Sequence, residues 1–227
     1  MKHIVAINAS PRVKWNTAML VDEAARGAQE AGAEIIHFDL YKLERFTACI
    51  SCFGCKRAPN EGKCVYKDGL KPVLDAIREA DGLIIGTPNY LGDVSAVFRS
   101  LFERLVFQSL TYKKEPRRYD NPFIHVLMIM TSNSPKAMYA IGDQAMMINR
   151  YKGTLSGMVG PTKVMIAGDT LQVSDYSRYD WTMFDPAAKQ KRREEVFPKE
   201  KEKAFELGRT LVEAPWQKYT QEREGAA

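Results

Sequence analysis

Apolar positions along this chain recur at two different periods. Residues 3–7 (His-Ile-Val-Ala-Ile) form a short apolar run that predicts a strand, whereas Met19, Leu20, Ala24, Ala28 and Ala31 recur near helical spacing over 17–32. The pattern then repeats. A strand is predicted over 34–38, and a helix over 70–80 is marked by Leu70, Val73, Leu74 and Ile77. Strand 82–86 and helix 94–107 follow. The eight-residue apolar run 123–130 reads as a strand covered on both faces. Ser134-Pro135 has the form of a helix start, serine as cap and proline in the first turn. A last strand at 163–167, an irregular aromatic segment at 175–184 and a charged helix over 186–211 complete the order.

Five strands alternating with helices predict a parallel sheet with helices on both faces, because parallel neighbours need right-handed crossovers. The helix over 94–107 carries Val97, Phe98, Leu101, Phe102, Leu105 and Val106, a broader apolar face than one core stripe needs. That breadth predicts a subunit interface, and with it a homodimer or homotetramer.

With 227 residues, 45% of them hydrophobic, the chain fits one domain over 1–213. A cysteine-rich insert lies at 47–66, and 214–227 reads as a flexible tail. No apolar run approaches the ~20 residues of a membrane span, and the opening residues lead into a strand rather than a cleavable signal. The expected location is the cytoplasm. A net charge of +5 is modest, and acidic residues interrupt the basic stretches at 113–118 and 189–203. Both read as solvated surface, so no nucleic-acid partner is expected.

In such a sheet ligands bind beyond the carboxyl ends of the strands. The loop after the first strand, Asn8-Ala9-Ser10-Pro11-Arg12-Val13-Lys14-Trp15-Asn16-Thr17, is rich in hydroxyls, amides and cations just before a helix. A helix N-terminus with such neighbours suits a phosphate, although Asn16 or Thr17 alone would read as an ordinary cap. Neither GxGxxG nor GxxxxGK[ST] is present.

Ser10-Pro11-Arg12 followed by Asn16-Thr17 resembles the FMN-phosphate loop of the NAD(P)H-dependent FMN reductases, a flavodoxin-like family. Gly86-Thr87-Pro88-Asn89-Tyr90-Leu91-Gly92-Asp93-Val94-Ser95-Ala96 is similar to that family's second flavin loop. The resemblance implies a three-layer α/β/α sandwich with strand order 2-1-3-4-5. It also implies FMN held by Ser10, Arg12, Asn16, Thr17 and Ala18 at the phosphate, and by Pro88, Asn89, Tyr90, Leu91, Gly92 and Asp93 along the ring. Thr131, Ser132 and Asn133 are expected at the pyrimidine side. The electrons are expected from NAD(P)H as co-substrate or from a reduced protein, and pass to a small molecule or to a protein acceptor, with a ferredoxin-like protein as a candidate partner. The alternative is a non-enzymatic electron carrier. No protein acid or base is assigned.

All four cysteines fall within one short segment, Cys49-x2-Cys52-x2-Cys55-x8-Cys64. Two-residue spacers can wrap thiolates around a cubane. Redox-active free thiols and a zinc site are the competing readings. The segment resembles that of the iron-sulfur flavoproteins in the same fold family, which implies a [4Fe–4S] cluster, and because the segment follows the second strand at the carboxyl edge it is expected near the flavin of its own or a neighbouring subunit. His37 and His125 lie in apolar strands and read as packed histidines.

Overall fold

The computed structural model describes residues 1–213, and the tail expected over 214–227 lies outside them. Strands β1 (His3–Asn8), β2 (Glu34–Asp39), β3 (Gly82–Tyr90), β4 (His125–Thr131) and β5 (Thr162–Ala167) are parallel and lie in the order 2-1-3-4-5. The sheet has a sixth strand that the sequence pattern did not announce. Asp93–Val94 pairs antiparallel with the end of β3, which therefore runs on past Gly86 to Tyr90.

Alternation along each central strand divides the core into two layers. Val5, Ile7, Leu83, Ile85, Val126, Met128 and Met130 face one side, where α2 (Lys71–Glu79), α3 (Ala96–Ser109) and α4 (Gly142–Met158) cover them. Ile4, Ala6, Ile84, Leu127 and Ile129 face the other, beneath α1 (Asn16–Glu30) and α6 (Phe197–Glu213). The expected three-layer sandwich is present. Among the described residues no helix is long and apolar enough to cross a membrane.

Two helix boundaries differ from expectation. Ser134-Pro135 opens only a 3-10 turn, Lys136–Ala140, and α4 begins later at Gly142. Pro135 is extended (ψ 144°), and the Ser134 carbonyl accepts from the Asp169 amide at 2.8 Å, so the loop is tied across to the end of β5. The charged helix over 186–211 is two helices, α5 (Pro186–Glu195) and α6, with a break at Val196 just before Phe197-Pro198. Pro198 has no N–H to continue the α5 ladder.

The broad face of α3 is largely satisfied within the chain. Phe98, Leu101, Phe102 and Leu105 are buried, and Tyr151 of α4 meets the Phe102 ring edge-on at 4.8 Å. Four of the six residues that led to the expected dimer are thus buried within one subunit, while Val97 and Val106 are half-buried.

Candidate functional site

Three loops meet at the carboxyl edge of β1, β3 and β4. In the first, the Asn8 side-chain oxygen accepts from the Ser10 amide at 3.0 Å, and the Ser10 hydroxyl oxygen accepts from the Arg12 amide at 3.2 Å. These bonds curl the chain into the start of α1. That helix has no side-chain cap, and its first intrahelical bond runs from Met19 to the Trp15 carbonyl. The amides of Asn16, Thr17 and Ala18 have no acceptor among the described residues. α3 and α5 are capped by Ser95 and Asp185, whereas α2 and α4, like α1, have no side-chain cap. A set of unpaired N–H groups at a helix start, with the positive end of the helix dipole behind it, fits a phosphate.

The side chains around that helix start are held by a segment beyond β5. Asn16 and the Trp15 indole both donate to the Leu171 carbonyl, at 2.8 and 3.1 Å, and exposed Arg12 donates to the Gln172 carbonyl. Arg193 of α5 adds a 2.7 Å bond to the Asn16 oxygen. Thr17 is buried and shares a 2.7 Å hydrogen bond with Thr131 at the end of β4, which joins the first loop to the third. Sequence reasoning missed the 171–172 strap, because it acts through backbone carbonyls that any residue supplies.

The second loop is a tight hairpin between β3 and the Asp93–Val94 strand. Leu91 and Gly92 both take positive φ, 54° and 84°, the signature of a primed two-residue turn. Leucine in that conformation costs roughly 1 kcal/mol and here projects wholly into solvent, beside half-exposed Tyr90. Asn89 stabilises the turn through its oxygen, which accepts from Gly92 at 3.0 Å. At its base Ser95 donates to the Ala9 carbonyl at 2.8 Å and accepts from Phe98, so one hydroxyl ties the hairpin to the first loop and caps α3.

Of the third-loop residues, Thr131 and Ser132 are buried at the meeting point, whereas Asn133 turns away to accept from Lys189 at 2.5 Å. Tyr139, which sequence reasoning did not single out, is buried between the second and third loops. Its hydroxyl accepts from Asn89 at 2.7 Å. Burial pushes that hydroxyl above the usual tyrosine pKa, against the opposing influence of Ser132 and Asn89.

The four cysteines, all reduced, line one cavity together with Phe53, Tyr66, Arg104, Phe107 and Gln108. Two residues in the winding, Ser51 and Phe53, adopt left-handed φ of 53° and 57°. Such backbone persists where surroundings over-determine it, often at a ligand clamp. Gly54 follows Phe53, and a Cβ there would stand 2.3 Å from a Val65 methyl carbon. No group of three His, Cys, Asp or Glu among the described residues is set to hold a single metal ion. What the cysteines share is the lining of one small cavity.

The cavity packs on the last turns of α3. Cys64 is held from that helix twice, by its amide on the Gln108 oxygen at 3.0 Å and by Arg104 Nη2 on its sulfur at 3.4 Å. At about 1.5 Å per residue, Arg104 and Gln108 lie ~13 and ~20 Å along the axis from the Ser95 cap. The insert leaves β2 at the carboxyl edge but runs back along α2 and α3, where the Gly62 carbonyl accepts from Arg78 in the last turn of α2 at 2.7 Å. The cysteines therefore stand down the flank of the helical layer rather than beside the three loops of their own chain. Burial raises the Cys55 thiol pKa, with nearby Lys56 opposing it. Lys56 in turn donates to the Leu110 carbonyl at 2.6 Å and to that of Phe107, closing the C-terminus of α3.

Comparison with known proteins agrees with this arrangement. Solved structures of similar fold include an NAD(P)H:quinone oxidoreductase from Methanothermobacter marburgensis, with TM-score 0.68 and 18% identity over 92% of this chain and 96% of that one. An azoreductase from Bacillus anthracis gives 0.62 and 15%, over 92% and 100%. At such identities the likeness is one of fold. Curated relatives include an iron-sulfur flavoprotein of Methanocaldococcus jannaschii, 40% identical over 101 residues, which is 44% of this chain and 50% of the relative. Another, from Archaeoglobus fulgidus, is 36% identical over 103 residues, 44% of this chain and 47% of the relative. The match thus spans about half the length of these relatives. Residues 2–170 match the family model described as NADPH-dependent FMN reductase, and the chain belongs to that family.

Proposed function

We propose that this protein is an FMN-dependent oxidoreductase that takes electrons from NAD(P)H and delivers them, through a cluster held by Cys49, Cys52, Cys55 and Cys64, to a small-molecule or protein acceptor. The observation that carries the flavin reading is the uncapped start of α1, whose free amides sit where β1, β3 and β4 end. The Asn16, Thr17 and Ala18 amides would hold the phosphate, with the Ser10 hydroxyl and Arg12 as further donors. The hairpin Pro88–Asp93 would support one edge of the ring, while Thr131 and Ser132 would offer hydroxyls to the other. Tyr139 keeps the hairpin and the third loop at a fixed separation. Bound FMN would supply the exchange between hydride and single-electron chemistry.

Support for the cluster comes from the shared cavity of the four thiols and from the names of the curated relatives, iron-sulfur flavoproteins. The two-residue spacers of Cys49, Cys52 and Cys55 suit successive thiolate ligands of a cubane.

The test is made on protein purified and reconstituted without oxygen. One FMN per chain, about four iron and four sulfide atoms, and sustained NAD(P)H oxidation with a quinone or free flavin are expected. Cys52→Ala should retain FMN but lose iron. A colourless protein refutes the flavin reading. Slow reduction by NAD(P)H with rapid exchange against a ferredoxin favours a carrier instead.

A further inference from the structure

Arg104 is the one side chain of the cysteine cavity whose arrangement an ordinary structural ion pair does not explain. It sits on α3 between Leu101 and Leu105 and is only 2% exposed. Nη1 reaches both oxygens of Asp68, at 2.6 and 2.7 Å, and Nη2 donates to the Tyr66 carbonyl at 2.9 Å and to the Cys64 sulfur at 3.4 Å. Nε is buried with no acceptor.

A buried guanidinium is costly unless each of its donors is used. Asp68 compensates the charge and also orders the insert, accepting from the amides of Thr47 and Leu70 at 3.1 Å each. That staple accounts for Nη1. It accounts neither for a donor placed on a cysteine sulfur nor for an N–H left over in the wall of a cavity that four thiols line. Lys56, the other cation beside the cysteines, is committed to the carbonyls that end α3. Lys56 also hydrogen-bonds Cys55, whereas the donor directed at the Cys64 sulfur belongs to Arg104.

We propose that Arg104 is a positioning residue for the cluster: it fixes Cys64 as the fourth ligand and, by donating to that sulfur, makes the cluster easier to reduce. The inference rests on the cluster reading above. It also explains how a cysteine nine residues beyond its nearest neighbour completes the set, since α3 rather than the connecting loop holds Cys64 in place. In the step concerned the cluster gains one electron, a reduced flavin of its own or a neighbouring subunit loses one, and no bond forms or breaks. Each added electron makes the thiolate-ligated group more negative. A hydrogen-bond donor on a ligating sulfur favours the reduced form, as cluster potentials respond to such bonds.

The test uses the whole chain, reconstituted anaerobically, as wild type, Arg104→Lys, and Arg104→Gln combined with Asp68→Asn so that no carboxylate is left buried and unpaired. Iron and acid-labile sulfide are counted first, and the cluster is then titrated against potential by electron paramagnetic resonance. The neutral pair is expected to keep its iron and to show at least a tenfold lower ratio of reduced to oxidised cluster at a fixed potential, a shift of about 59 mV for one electron. Arg104→Lys should fall between it and wild type. Loaded variants that titrate at the wild-type potential overturn the proposal, as does loss of iron from both variants, which would make Arg104 a structural staple alone. If wild type takes up no iron, the cluster reading fails and this inference fails with it. A loaded wild type with unshifted variants refutes only the role of Arg104.

Discussion

The Asn89 side-chain amide donates to the Tyr139 hydroxyl across 2.7 Å, and this single bond joins the hairpin after β3 to the turn after β4. Both loops are otherwise anchored to different neighbours, the hairpin to Ala9 through Ser95 and the third loop to Thr170 through the Ser132 carbonyl. Tyr139→Phe keeps the packing and deletes the bond. A neutral hydrogen bond is worth about 0.5–1.5 kcal/mol, so FMN should dissociate roughly two- to tenfold more readily. Flavin fluorescence titration measures it. Unchanged affinity with a lowered melting temperature would assign Tyr139 to stability alone.

Arg12 offers a different kind of contact. It is exposed and rests on the Gln172 carbonyl, a neutral acceptor that a phosphate would outcompete for a guanidinium. Arg12→Ala is expected to weaken FMN binding by about tenfold or more, from the roughly 1.5–3 kcal/mol of a charge-assisted bond. The loss should shrink in high salt, since the side chain is solvated. Equal affinities of variant and wild type at low salt would remove Arg12 from the cup and leave the α1 amides to hold the phosphate.

Much of this was legible in the residue pattern. Strand alternation such as Ile4 and Ala6 against Val5 and Ile7 fixes which side chain enters which layer, and the polar loop before α1 marked the carboxyl edge. What escaped has a common physical origin in contacts between residues remote in sequence. Ser134-Pro135 has a cap's chemistry, yet the fold uses the Ser134 carbonyl to receive Asp169 and leaves no room for a helix there: a Cβ on Gly168 would stand 2.4 Å from the Lys136 nitrogen. Tyr139 and the 171–172 strap belong to the same class. Arg104 did leave a trace, a cation set into the apolar stripe of Leu101, Phe102 and Leu105, although its partners Asp68 and Cys64 lie dozens of residues away.

Gly54 ties the cysteine winding to packing. A methyl group there would overlap the side chain of Val65, next to Cys64, at 2.3 Å. Gly54→Ala should therefore lower iron uptake on anaerobic reconstitution to well below wild type while FMN content stays at one per chain. Iron analysis beside the flavin absorbance reads both at once. Full iron incorporation would mean that the loop relaxes at no cost to the ligand geometry.

Gly208 provides the complementary case on the opposite face of the sheet. A Cβ at Gly208 would stand 1.8 Å from the Ala24 carbonyl oxygen, and one at Gly27 would stand 2.0 Å from that of Phe205, so α1 and α6 touch backbone to backbone. Neither contact is with a flexible side chain that could swing aside. Gly208→Ala must push the helices apart, and overpacking of this kind costs about 1–3 kcal/mol, offset in part by alanine's better helix propensity. The midpoint of urea unfolding should fall accordingly. Since α6 covers the layer of Ile4, Ala6 and Ile129 while the cysteines lie on the α2–α3 side, iron uptake should be unaffected in protein that remains folded. The effect on FMN is the sharper reading, because α1 is also the helix whose first turn forms the phosphate cup. A shift of the whole helix would weaken FMN binding together with stability. Lowered stability with unchanged affinity would show that α1 pivots about the Thr17–Thr131 bond at its start and yields only at the Gly27 end.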